Sequence, residues 1–102
     1  MITVRSVASA NALANQPGYE IEVTSDREFP VRDELAVLRI GAHSFALSRY
    51  PDIGDTHTLI FTLTPEDFAN TVATDEVTVQ YGFGEPNVRW SFGPLNKAAL
   101  NR

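Results

Sequence analysis

The sequence of 102 residues contains no cysteine. This absence excludes a disulfide framework, a thiolate metal site and a cysteine nucleophile, and it leaves the redox compartment open. The sequence also lacks any run of 18 apolar residues, so no membrane-spanning helix is expected. Arg5 and several polar residues interrupt the alanine-rich stretches of residues 1–14. We therefore expect this segment to belong to the mature domain, or to be the start of a piece cut from a longer protein, rather than to be a signal peptide.

Basic residues are few and scattered. The sequence has eight Lys and Arg and 13 Asp and Glu, which gives a formal net charge of −5. Phosphate binding needs clustered cations, so the sequence predicts no nucleic-acid partner. Hydrophobic residues make up 43% of the chain, as in folded globular domains. The length suits one core, and we predict a single domain over residues 1–102 with a C-terminal tail, residues 95–102, that forms one helical turn.

Alternation of apolar and polar residues is the strongest positive signal. Four segments carry it: Tyr19-Ile21-Val23, Leu59-Phe61-Leu63, Val77-Val79-Tyr81 and Val88-Trp90-Phe92. Side chains of a strand point alternately to opposite faces, so each segment predicts a strand with one buried face and one solvated face. The solvated faces include Glu20 and Glu22, which we expect to serve solubility and edge protection.

Turn signals divide the chain into seven predicted strands. These strands cover residues 2–7, 19–25, 35–40, 44–50, 58–63, 76–81 and 88–92. The first strand is expected at a sheet edge, and Pro17-Gly18 predicts a turn with a positive φ at the glycine. Thr64-Pro65 is typical of a helix N-terminus, with Thr as the N-cap, and predicts a helical turn near residues 65–70. The sequence therefore predicts an all-β fold, an antiparallel two-sheet immunoglobulin-like sandwich of about seven strands with one short helical turn.

Residues 58–92 carry a family resemblance. Their order of strand, helical turn, strand, loop and strand resembles the last three strands of immunoglobulin-like domains. The segments Phe61-Thr62-Leu63-Thr64, Pro65-Glu66-Asp67-Phe68-Ala69 and Trp90-Ser91-Phe92-Gly93 resemble pieces of an antibody light-chain variable domain. The paired cysteines of those domains are absent, so the resemblance points to the broader immunoglobulin-like, early-set superfamily. It implies a sandwich of the kind found in bacterial multidomain surface and secreted proteins, and it transfers no functional residue.

Metal binding has two weak candidates. Asp52 and Asp55 share a loop and could offer hard oxygen ligands to calcium, but Asp and Gly are also the ordinary residues of turns. His43 and His57 are the only histidines, and zinc would need further ligands brought near by the fold. Two ligands do not complete either kind of site, so we predict no bound metal and no cofactor.

Catalytic residues are hard to assemble from this sequence. Ser44, His57 and Asp55 supply the residue types of a hydrolytic triad, but no glycine-rich nucleophile elbow surrounds the serine. A glycosidase needs two carboxylates on opposite sides of a cleft, and a domain this small has too little surface to form such a cleft. We therefore expect a protein that is not an enzyme.

Ligand contact is predicted at the loops. Phe83 lies between two glycines in a hairpin loop, where an aromatic side chain can anchor a partner or stack on a sugar. Tyr50, Glu85 and Asn87 complete the predicted ligand-binding set. Trp90 is a further aromatic candidate, but its phase with Val88 and Phe92 favours a place in the core.

These observations favour a non-catalytic binding or spacer module of a larger bacterial protein, extracellular or in the cell envelope rather than cytoplasmic. One alternative is a carbohydrate-binding module that uses exposed aromatics. The other is an assembly domain that pairs through an edge strand, residues 2–7 or 44–50. We expect the isolated domain to be a monomer that does not insert into membranes, with a protein or carbohydrate partner left open.

Overall fold

The computed structural model describes residues 3–26, 36–45, 48–49, 57–81 and 88–101. This part of the chain contains nine strands and one helix. Their bounds are β1 (Thr3–Ser9), β2 (Gly18–Thr24), β3 (Ala36–Ile40), β4 (His43–Phe45), β5 (Ser48–Arg49), β6 (Thr58–Leu63), α1 (Pro65–Ala69), β7 (Glu76–Tyr81), β8 (Val88–Pro94) and β9 (Ala99–Asn101). Within these residues no helix is long enough to cross a membrane, since α1 has five residues.

The described strands form two sheets. One has five strands in the order β5-β6-β2-β1-β9, and the other has four in the order β4-β3-β7-β8. Among these strands every pairing is antiparallel except that of β1 with β9, which is parallel. The prediction of an all-β fold with two sheets and one short helix is confirmed.

A single apolar core lies between the sheets. Ile21 and Phe61 from the five-stranded sheet and Leu38 and Val79 from the four-stranded sheet belong to one cluster and are fully buried. Each such side chain contributes about 1.5–3 kcal/mol when it leaves water, so this layer supplies the main driving force for folding. The inward phase predicted for Phe61 and Val79 is confirmed.

The fourth predicted strand is divided in two. In place of one strand over residues 44–50, the chain forms β4, which pairs with β3, and β5, which pairs with β6. The two segments therefore belong to different sheets, and the chain crosses from one sheet to the other between them.

The C-terminal tail forms a strand where a helical turn was predicted. Leu95 is buried, and its backbone N–H donates to the carbonyl of Asp75 at 2.9 Å. After it, Asn96 has a φ of +57°, and β9 then pairs with β1 from Ser6 to Ala8. The edge position predicted for the first strand is wrong over these residues, because β9 occupies that side of β1.

The positions of Glu20 and Glu22 also correct the prediction. Both side chains are buried, although they lie on the outer face of the five-stranded sheet. They belong to β2, which lies third of five strands, so they cannot protect an edge. Val7 pairs with Glu20 and Ile60 pairs with Glu22, and each of these apolar residues is 1% exposed. An oxygen of Glu22 accepts from the Arg5 guanidinium at 2.8 Å, which compensates in part for its burial.

The turn before β2 differs from the prediction at Gly18. Positive φ angles occur earlier, at Ala14 (46°) and Asn15 (73°), and Gly18 is instead the first residue of β2. A Cβ atom on Gly18 would lie 2.8 Å from the carbonyl oxygen of Leu63. The Leu13 side chain would also lie 2.9 Å from it, so the glycine is required by close neighbours on both sides and not by a positive φ.

The helix begins as its sequence predicts. The Thr64 side chain accepts a hydrogen bond from the Asp67 backbone N–H at 3.0 Å, and Pro65 occupies the first helical turn. Phe68 points into the core. This short helix thereby closes one end of the sandwich between β6 and β7.

Candidate functional site

The predicted ligand-binding and calcium-binding residues lie outside the described residues. They are Tyr50, Asp52, Asp55, Phe83, Glu85 and Asn87. Trp90 belongs to β8, where its backbone pairs with Val79, and its side chain is not among those described. The roles predicted for all seven residues therefore stay predictions.

Both histidines are exposed. His43 lies on β4, and its ring centroid is 6.5 Å from that of Phe45. His57 precedes β6, and its Nδ1 donates to the backbone carbonyl of Ser25 at 3.2 Å. Within residues 3–26, 36–45, 48–49, 57–81 and 88–101, no group of three His, Cys, Asp or Glu side chains is placed to hold a metal ion.

An open cleft lies at one end of the five-stranded sheet. Three segments form it: residues 8–10 at the end of β1, residues 17–19 at the start of β2, and Pro65 at the start of α1. Its volume is about 350 Å³, which lies at the low end of the range for small-molecule sites.

The wall of the cleft is held in place by an aromatic pair. The ring of Tyr19 stacks on that of Phe68, with centroids 3.9 Å apart and planes 11° from parallel. Lys97 Nζ lies 4.9 Å from the Phe68 centroid, within reach of a cation–π contact. These contacts join β2, α1 and the segment before β9, so the end of the sandwich is fixed where the cleft opens.

The described lining of the cleft carries few polar side chains. Among the described residues that line it, none carries a charge, and the polar side chains are those of Ser9 and Tyr19. A lining of this kind offers apolar contact and few hydrogen-bonding groups.

Sequence reasoning missed this cleft, although it found two of its parts. The turn signal at Pro17-Gly18 and the helix start at Thr64-Pro65 were both predicted. Nothing in the local pattern indicates that these two segments meet beside the end of β1. Their meeting depends on the pairing of β2 with β6, which aligns Tyr19 with Leu63.

The first and last described strands lie side by side and run in the same direction. Ser6, Val7 and Ala8 pair with Ala99, Leu100 and Asn101 in parallel register. The chain therefore enters β1 at one end of the sheet and leaves β9 toward the other. The cleft lies at the exit end, because Ala8, the partner of Asn101, is one of its lining residues.

Comparisons with known proteins add no relative to this description. No family model matches the sequence, no match is found among curated proteins, and no solved structure matches the fold.

Proposed function

We propose that this chain is a non-catalytic immunoglobulin-like module that holds neighbouring parts of a larger protein apart in a fixed direction. In keeping with the sequence resemblance, we infer a bacterial parent protein that is extracellular or in the cell envelope. The path of the chain through the described strands supports this role.

The strand order supports the immunoglobulin-like assignment. In such domains, strands A, B, E and D form one sheet, and strands C, F and G form the other. If β1, β2, β3, β6, β7 and β8 are labelled A, B, C, E, F and G, then β5 takes the position of D. The neighbours β5-β6-β2-β1 and β3-β7-β8 then follow that order.

The parallel pairing of β1 with β9 is the observation that carries the spacer role. The seven residues of β1 extend about 23 Å at 3.3 Å per residue. Because β9 runs in the same direction, a segment before β1 and a segment after β9 leave from opposite ends of this strand pair. Had the two strands been antiparallel, both neighbours would attach at the same end, and the domain could not separate them.

The described edges do not favour the alternative of assembly through an edge strand. β4, β5 and β9 have three, two and three residues, which offers little backbone to a partner strand. The longer edge strand β8 pairs with β7, and the register of this pair shifts between Val77 and Thr78. β8 also contains Gly93, with a φ of +89°, and ends at Pro94. Short edges, irregular register and proline are features that protect sheets from pairing with other chains.

Small-angle X-ray scattering of two copies joined directly, with the second copy after Arg102, tests the spacer role. The single domain has principal extents of 35 × 30 × 24 Å. We expect the joined pair to be elongated, because β9 of the first copy ends at the opposite end of the sheet from the start of β1. Its longest dimension should approach twice that of the single domain, and the single domain should scatter as a monomer.

A pair joined through a long Gly/Ser linker is the matched control. Such a linker behaves as a flexible coil, so the control should show a broad distribution of separations. A directly joined pair that folds back into a compact, side-by-side particle would contradict the spacer role. So would a distribution as broad as that of the control.

A further inference from the structure

We propose that β9 is a reversible latch on the edge of β1, which comes away as a unit while the segment immediately before it stays fixed to the domain. The latch rests on the spacer role proposed for the domain, and it regulates that role. With β9 docked, the chain leaves the domain in the direction of β1. With β9 released, the same exit becomes a flexible connection.

Few contacts hold β9 in place. It pairs with β1 at Ser6, Val7 and Ala8, and β1 is its only neighbour among the described strands. Leu100 is the central residue of β9, pairs with Val7 and remains 50% exposed. On its other side, β1 pairs with β2 at seven positions. A short edge strand with a half-exposed central side chain is expected to open locally before the whole domain unfolds.

The chain before β9 is held more firmly. Leu95 is 1% exposed and belongs to the core, and its N–H donates to the carbonyl of Asp75 at 2.9 Å. The N–H of Asn96 donates to the carbonyl of Ala73 at 2.8 Å. These contacts are made with the α1–β7 connection, so they remain when β9 leaves β1. The moving part begins after Asn96, and its five residues, 97–101, span about 17 Å when extended.

A buried hydroxyl group beside β9 opposes docking. Ser6 pairs with Ala99 on one side and with Ile21 on the other, so its side chain faces the core as that of Ile21 does. Ser6 is 2% exposed, and its Oγ has no hydrogen-bond partner among the residues that the structure describes. A hydroxyl buried in this way loses its contact with water and receives no compensating bond. Release of β9 lets water reach Ser6, so this group favours the open state.

The docked and released states are therefore close in free energy. Three backbone pairs favour the docked state, and the buried hydroxyl of Ser6 opposes it. A small difference of this kind allows both states to be populated, and any partner that binds one of them better shifts the balance toward it. The direction in which the chain leaves the domain can thus be controlled without unfolding the sandwich.

Amide hydrogen exchange of the full chain, measured by NMR where the rates report the opening equilibrium, tests the latch. We expect the amides of β9 that bond to β1 to exchange faster than those at the centre of β2 and β6. Their rates should depend little on low concentrations of urea, because a local opening exposes little surface. Equal rates in β9 and in the central strands, with the same dependence on urea, would overturn the proposal. So would a complete lack of protection in β9, since no docked state would then exist.

Ser6→Ala and Ser44→Ala are matched variants for this experiment. Ser6 is buried beside β9, whereas Ser44, on β4, is already exposed. We expect Ser6→Ala to slow exchange in β9 by about 5- to 150-fold, the range for removing a buried hydroxyl that has no partner. Ser44→Ala should leave these rates unchanged. If Ser6→Ala slows exchange only at the centre of β2 and β6, release of β9 does not expose Ser6 and the proposal fails.

The latch and the spacer role can fail separately. An elongated joined pair in solution scattering, together with β9 amides as protected as those of the central strands, would retain the spacer role and reject the latch. A compact joined pair would reject the spacer role, and with it the regulation that the latch provides, whatever the exchange rates of β9.

Discussion

Phe61→Ala is expected to destabilise the domain by about 3–5 kcal/mol, the range for truncating a buried phenylalanine. Phe61 is fully buried on β6, near the centre of the five-stranded sheet, and belongs to the cluster that joins both sheets. Removing its ring deletes contacts to both layers and leaves a cavity. Since whole domains are stable by only about 5–15 kcal/mol, this loss is a large share of the total. Urea unfolding followed by far-UV circular dichroism measures it.

Thr62→Ala is the matched control for this substitution. Thr62 is the next residue of the same strand, is half-buried, and lies on the outer face of the sheet. Its truncation should change the free energy of unfolding by about 1 kcal/mol or less, as for most substitutions away from the core. Equal losses for the two variants would mean that the alternation of β6 does not separate a core face from an outer face.

Gly41→Ala is expected to destabilise the domain by about 2–3 kcal/mol, from backbone strain and displaced contacts together. Gly41 forms the β3–β4 turn with a φ of +60°, a conformation that L side chains rarely adopt. A Cβ atom there would lie 2.8 Å from Asp75 Cγ and Oδ2. The carboxylate would have to move, although it now accepts a hydrogen bond from the Val72 N–H at 3.1 Å.

Gly93→Ala separates the two causes. Gly93 also has a positive φ, of +89°, but no atom lies within 4 Å of the position of its Cβ. This variant should suffer backbone strain alone, at about 1 kcal/mol. Adding Asp75→Ala to Gly41→Ala should recover part of the larger loss, which a double-mutant cycle would report. Identical losses at the two glycines would show that Asp75 does not press against the turn.

Much of the fold could be predicted because period-two alternation is a local signal. Ile21, Phe61 and Val79 each lie within a run whose phase identifies the buried face, and all three are buried. Burial of Glu20 and Glu22 could not be predicted in this way. Their alternation with apolar residues is compatible with a solvated face, and no local pattern indicates that this face is buried together with Val7 and Ile60.

The division of β4 from β5 and the presence of β9 depend on distant partners. β9 has three residues, too few for a recognisable period, and it pairs with a strand more than 90 residues earlier. Residues 44–50 carry apolar positions that suit a strand, but the sequence does not indicate that the two ends of that segment pair with different sheets. Pairing between distant segments is decided by the assembled sandwich.

The candidate site was the least predictable feature. Sequence reasoning favoured aromatic and acidic residues in two loops, because those residue types carry recognisable binding chemistry. The cleft is instead formed by alanine, glycine, proline and tyrosine from three separate segments. Such residues have no distinctive spacing, and their value as a surface arises only when β1, β2 and α1 come together.

The parallel pairing of β1 with β9 is the central claim, and nuclear Overhauser contacts between their backbone protons test it most directly. The pairing predicts contacts of Ser6 with Ala99 and of Ala8 with Asn101 in the single domain. Contacts in the opposite order, Ser6 with Asn101 and Ala8 with Ala99, would mean an antiparallel pair whose neighbours leave from the same end. That result, or the absence of any contact between the two strands, would contradict the spacer role.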